Sequence, residues 1–280
     1  MLNKVAFCAI IVSVCACANA EVLDLDDALR KTYTNCVGID DSLHDMKVLA
    51  GINTAVTGVG TVAGGGALIA GIKRHNILNS LRDIEDNPEH DALMYNDIDI
   101  TVRPDFVPNL KSKKQKLGNW RTGLLAVNTA TNVAGTVIAA KNANNDDLDA
   151  QVKLCIDSVD ELKKSIAQSK LYGDDVGEAS MIYDACVEYK YIDLSVLKKR
   201  AKGAEISSAL GGATGAVGII TSAVANKSSG EKERKLDTAS NILAGGATVL
   251  TGSATVFNAM QISVIKKVSD VAQKCESLLK

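Results

Sequence analysis

The chain has 280 residues, 46% hydrophobic but only 4% aromatic, with 31 basic and 33 acidic side chains and a formal net charge of −2. Apolar content made of small side chains favours helices in close backbone contact over a core filled by rings. Basic and acidic residues are interspersed, which leaves no electrostatic footprint for nucleic acid and excludes that class of partner.

Residues 1–20 read as an export signal. Lys4 supplies a basic start, residues 5–14 an apolar run, and Ala18-Asn19-Ala20 a small-x-small cleavage site before Glu21. An uncleaved anchor helix, or lipid attachment at Cys17, are the competing readings of the same stretch. Cleavage removes Cys8, Cys15 and Cys17 and leaves Cys36, Cys155, Cys186 and Cys275. An even set of cysteines in an exported chain reads as a disulfide framework.

The first half of the mature chain, 21–170, opens on a helical stripe of Leu25, Ala28, Leu29, Thr32, Tyr33, Cys36 and Val37, with Asp24 or Asp26 as N-cap. An arm without any charged residue follows at 48–72. The connection 73–121 holds all three prolines and an alternating Asp97-Ile98-Asp99-Ile100-Thr101-Val102 run, which predicts a small irregular or short-strand cap. A second uncharged arm occupies 122–140. Val152, Cys155, Ile156 and Val159 then form another helical stripe.

The second half, 171–280, repeats this order. Ile182, Ala185, Cys186 and Tyr189 make a Cys-bearing stripe, uncharged arms follow at 206–226 and 238–265 around a short charged turn at 227–237, and Val268, Val271, Ala272, Cys275, Leu278 and Leu279 close the chain. The turn is short enough to make its two arms antiparallel neighbours. One offset matches Ile39, Asp40, Ser42, Lys47, Gly58 and Thr61 with Ile192, Asp193, Ser195, Arg200, Gly211 and Thr214. The pattern is that of a duplicated unit.

Cys36 precedes its arm by about 12 residues and Cys155 follows its own by about 15, so at 1.5 Å per residue a hairpin brings the two to one height. This favours Cys36 with Cys155 and Cys186 with Cys275. The rival pairing closes the whole domain, Cys36 with Cys275 and Cys155 with Cys186. Four buried free thiols are the plain alternative.

A charge-free stretch of about 20 residues is long enough to span a hydrocarbon core. Gly58, Gly60, Gly64, Gly211 and Gly215 give the small-residue ridges on which membrane helices pack, and they resemble glycine-zipper segments of envelope proteins in general. Asn53, Asn128, Asn132 and many Thr and Ser make each arm a weak insertion candidate. In a membrane Trp120 would be an interfacial anchor.

The sequence carries little that points to catalysis. Gly58-Val59-Gly60-Thr61-Val62-Ala63 fits a dinucleotide pattern, with Asp83 at ribose-binding distance, but no βαβ order surrounds it. His44, His75 and His90 share no metal spacing, and the acidic residues around Pro88 lack that of a calcium loop. The expectation is an all-α, exported envelope protein of two helical hairpins with Gly/Ala-rich arms flanked by Cys-bearing amphipathic helices. It would have the lipid bilayer as partner, self-association through the Gly-rich helices as an option, a structural or interaction role, and neither cofactor, metal nor enzymatic activity. A soluble exported bundle and a pore former are the alternatives.

Overall fold

The computed structural model describes residues 24–86 and 106–280, and no strand occurs among them. Seven α-helices and one 3-10 turn follow in chain order: α1 Leu25–Cys36, α2 Ile39–Asp86, α3 Phe106–Ala143, α4 Asp146–Tyr172, α5 Gly177–Cys186, the turn Val187–Tyr191, α6 Ser195–Lys227 and α7 Gly230–Leu279. All four uncharged arms are helical, each inside a longer helix. The export signal and the Asp97 to Val102 run lie outside the described residues.

The long connection is mostly helix where it is described. Residues 73–86 extend α2, and 106–121 open α3. The irregular cap expected across 73–121 is therefore absent from both of its ends. Pro108 does not prevent this, because it is the third residue of α3, where the backbone N–H has no intrahelical acceptor to lose. The charged turn is tighter than expected, with Gly230 at φ 64° beginning the return helix.

The chain forms two compact units, and each draws on both halves of the sequence. Unit 1 comprises Met1–Ser42, described from Asp24 onward, with Asp146–Ile192 and Val268–Lys280; unit 2 comprises Leu43–Asn145 and Asp193–Lys267. In unit 1, α1 lies antiparallel to α4. Asp24 caps α1 by accepting from the Asp26 N–H at 3.1 Å, Thr32 Oγ1 donates to the Ser158 carbonyl at 3.4 Å, and Cys36 is bonded to Cys155. Cys186 is bonded to Cys275. The chain breaks between α1 and α2 at Gly38, φ 92°, and Glu276 accepts from the N–H groups of Gly38 and Asp40 at 3.2 and 3.1 Å, capping the start of α2.

Unit 2 is an up-down-up-down four-helix bundle. Thr57 meets Gly135 and Gly66 meets Leu124 between α2 and α3; Thr122 meets Ser222 between α3 and α6; Ser240 meets Gly218 between α6 and α7; Asn53 meets Asn258 between α7 and α2. In each case residues early in one helix face residues late in the next. Buried positions recur at alternating steps of four and three: Arg121, Leu125, Asn128, Asn132, Gly135, Ala139 and Asn142 on α3, and Glu233, Asp237, Ser240, Ala244, Ala247, Thr251, Ala254, Asn258, Gln261 and Ile265 on α7. This is the heptad seam of a left-handed bundle.

Candidate functional site

What fills that seam is unusual for a heptad core. Its buried side chains include Asn53, Thr57, Asn128, Asn132, Ser208, Thr251, Asn258 and Gln261, while the outward face carries Val62, Val137, Ile220 and Ile242, 78%, 67%, 66% and 71% exposed. Along the arms the exposed side chains are largely Val, Ile and Leu, while the interior is built mainly of polar residues, Ala and Gly. Each long helix holds an 18-residue window of mean hydropathy 1.3 to 1.6, and only 28–39% of each window is buried. By length and composition all four can cross a membrane.

Many of the interior amides join helices. Asn53 Nδ2 donates to Asn258 Oδ1 at 3.1 Å; Asn128 Nδ2 donates to the Gly60 carbonyl at 2.7 Å and to Thr251 Oγ1 at 3.1 Å; Asn132 Nδ2 donates to Thr251 Oγ1 at 2.7 Å. Close approach makes this possible. A Cβ on Gly64 would stand 2.5 Å from Thr248 Oγ1, one on Gly215 2.5 Å from Thr129 Oγ1, and one on Gly60 would overlap Thr131 Oγ1. Gly211 lies against Asn132. Gly60 and Gly64 thus pack on one flank of α3 around residues 128–131, and Gly211 and Gly215 on the other around 128–132. Gly58 faces away, with nothing within 4 Å of its Cβ position, as do Gly51 and Gly65 at seven-residue spacing.

At the end of the bundle that bears the two connections the seam becomes ionic. Asp237, fully buried, accepts from Arg74 and, at 2.7 Å, from Arg121 Nη1. Arg74 Nη2 also donates to Glu233 at 2.6 Å, and Lys114 reaches the other oxygen of that carboxylate at 3.0 Å. Arg121 Nε also donates to Ser222 Oγ at 2.9 Å and its Nη1 to Asn241 Oδ1 at 3.0 Å, while its Nη2 makes no hydrogen bond within the protein. Each arginine lies over a glycine of the neighbouring helix: Arg74 Nε is 3.1 Å from the Cβ position of Gly118, and Arg121 Cδ is 3.2 Å from that of Gly71. A Gly-x-x-Arg run on each helix, Gly71 to Arg74 and Gly118 to Arg121, builds this reciprocal fit. In the sequence both arginines look like flanking charges of the arms. Their signal is that they continue the four-three spacing of the arms, Arg74 at the end of one run and Arg121 at the start of the next.

Between the amide layers and this ionic layer sits one apolar layer. Ala67, Leu125 and Ala244 are buried there, with Leu68, Leu124 and Ile219 packed against them. Gly218 makes room for Leu125, whose Cδ1 is 3.4 Å from its Cβ position.

In unit 1 the four cysteines form two clasps with Cα separations of 4.7 Å, pairing Cys36 with Cys155 and Cys186 with Cys275 as the hairpin spacing favoured. Bridges across 119 and 89 residues each restrict the unfolded chain by on the order of 4–5 kcal/mol on a loop-entropy view. Beside them Tyr189 is fully buried and its hydroxyl makes no hydrogen bond within the protein. Burial pushes its phenol pKa upward, and the carboxylates of Glu276 and Asp40 add to the shift. No group of three or more His, Cys, Asp or Glu able to hold a metal occurs among the described residues. No protein-family model, curated protein or solved structure matches the chain.

Proposed function

We propose that this chain is an exported membrane protein of the cell envelope, with unit 2 as its bilayer-spanning bundle and unit 1 as a disulfide-stapled domain in the oxidising compartment. The observation that carries the reading is the reversal of the bundle's polarity. In water, an interior of Asn, Thr, Ser and Gly offers little burial energy to offset a surface of exposed Val and Ile. In a bilayer the same arrangement is favourable: outward side chains contact lipid, glycines let backbones approach, and amides bond across helices where no water competes.

The uncharged arms support the assignment. The shortest, 122–140, would extend about 28 Å as a helix, close to the roughly 30 Å of a hydrocarbon core. Trp120, 68% exposed at the edge of that arm, is placed as an interfacial anchor would be. Four crossings return the chain to its starting side after every second arm, which assigns all four cysteines to one compartment. The role we assign is structural or interactive rather than catalytic, because the amides of Asn53, Asn128 and Asn132 and the ionic cluster are engaged in joining helices. Alkaline carbonate extraction of membranes tests the proposal: the protein should stay in the pellet, and release into the supernatant would refute membrane insertion.

A further inference from the structure

Resting on the membrane reading, we propose that the cleft between the start of α2 and the end of α3 binds the headgroup of a zwitterionic phospholipid, one that carries a phosphate and a primary ammonium. The cleft holds about 530 Å3, within the roughly 300–1,000 Å3 of small-molecule sites, and lies at the end of unit 2 away from the ionic cluster. Its polar lining is Asp45 from α2 with Lys141, Asn142, Asn144 and Asn145 from the end of α3. None of these five side chains makes a hydrogen bond or ion pair with a described residue. Elsewhere in unit 2 the buried carboxylates are matched, as Asp237 and Glu233 are by Arg74, Arg121 and Lys114. Asn142 is the most informative of the five. It is 1% exposed and neither Oδ1 nor Nδ2 has a partner, so a donor and an acceptor at the wall of the cleft are left for a group that the chain does not supply.

Opposite charges on the two helices select the class of ligand. A lone anion would meet Asp45 and a lone cation would meet Lys141, whereas a headgroup of both signs satisfies the pair. Its phosphate accepts from Lys141 and from an asparagine N–H, and its ammonium donates to Asp45 and to an asparagine carbonyl. A primary ammonium has three N–H donors for these acceptors, and a trimethylated one has none. The depth fits as well. Val48 opens the arm 48–72 and Ala140 closes the arm 122–140, so the cleft lies where hydrocarbon gives way to headgroups. Val48 and Leu49 belong to its apolar lining, and Ile52, exposed one turn further into the arm on the same face as Val48, continues that surface along the course of an acyl chain.

The test reconstitutes the full chain into liposomes of equimolar phosphatidylcholine, phosphatidylethanolamine and phosphatidylglycerol. The liposomes are floated on a density gradient, the protein is released in mild detergent, and its retained lipid is identified by native mass spectrometry. Phosphatidylethanolamine should be retained about tenfold over the other two. Asp45→Asn and Lys141→Gln, both at exposed positions that leave the fold and its two disulfides intact, should each abolish the preference, while Lys73→Gln at the far end of the α2 arm should preserve it. Protein that floats but retains the three lipids alike, or that keeps its preference in both variants, would overturn the proposal and leave the membrane reading standing. Protein that stays at the bottom of the gradient would refute the membrane reading itself. Free phosphoethanolamine separates the two sources of the headgroup: it should fail to displace the lipid, and displacement at a concentration equal to that of the lipid would overturn the lipid assignment in favour of a soluble zwitterion.

Discussion

Neutralising Asp237 should be among the most damaging single changes in the bundle. Its carboxylate is fully buried and accepts from two guanidinium groups. In Asp237→Asn, Arg74 keeps Glu233 at 2.6 Å, but Arg121 keeps only the neutral Ser222 and Asn241. One buried cation is then uncompensated, and breaking a buried pair from one side costs about 3–5 kcal/mol. Arg121→Met in the Asp237→Asn background removes the stranded charge and should recover at least half of the loss, on the order of 2 kcal/mol. Glu233→Gln should cost less, about 1–2 kcal/mol, because Lys114 is partly exposed and can turn to water. The assay is unfolding of micelle-bound protein titrated with SDS and followed by far-UV circular dichroism, with the disulfides intact. Asp237→Asn within about 0.5 kcal/mol of wild type would show that the cluster is not a buried charge balance, and a double variant less stable than Asp237→Asn would refute the stranded-charge reasoning.

Three further outcomes follow from the packing and the titrating groups. Gly64→Val should disrupt the bundle, since even its Cβ would stand 2.5 Å from Thr248 Oγ1, while Gly58→Ala should be neutral or gain up to about 1 kcal/mol of helix propensity; paired thermal melts decide between them. Thiol labelling of the unfolded, unreduced protein should find Cys36, Cys155, Cys186 and Cys275 all blocked, and replacing both members of one clasp with Ser should cost about 2–5 kcal/mol. The raised pKa of Tyr189 means the folded state disfavours its phenolate, so the stabilisation is complete below the ordinary phenol value of about 10 and is lost as pH rises above it. Tyr189→Phe, which removes a hydroxyl without a hydrogen-bond partner, should leave neutral-pH stability nearly unchanged and flatten the alkaline fall; an equally steep fall in both proteins would show that Tyr189 is not its source.

The helices and the hairpin order are legible in the sequence because charge marks the ends of each arm and Asp24 marks the start of α1. The cysteine pairing is legible because helix rise converts spacing into height. The bundle's inside is harder to read, and the reason lies in its chemistry. A search for apolar periodicity looks for Leu and Val in the seam, but here the four-three spacing is carried by Arg121, Asn128, Asn132 and Gly135 while Val127, Val133 and Val137 point outward. Asn128 and Asn132 look like defects in a membrane arm until they are seen to share Thr251. Depth in the bundle also departs from the offset read between the two halves of the sequence. The sequence offset sets Gly58 against Gly211, whereas the glycines that flank α3 at equal height are Gly60 with Gly211 and Gly64 with Gly215. The ionic cluster joins α2, α3 and α7, so no local pattern displays it.

The central claim is that the apolar outer face of unit 2 lies in lipid. Nitroxide labels placed singly through Val62→Cys, Val137→Cys, Ile220→Cys and Val249→Cys in reconstituted protein measure this directly, by the relaxation that oxygen and a water-soluble nickel chelate each impose. The account predicts strong oxygen relaxation and almost none from the chelate at all four positions, and strong chelate relaxation there would contradict it.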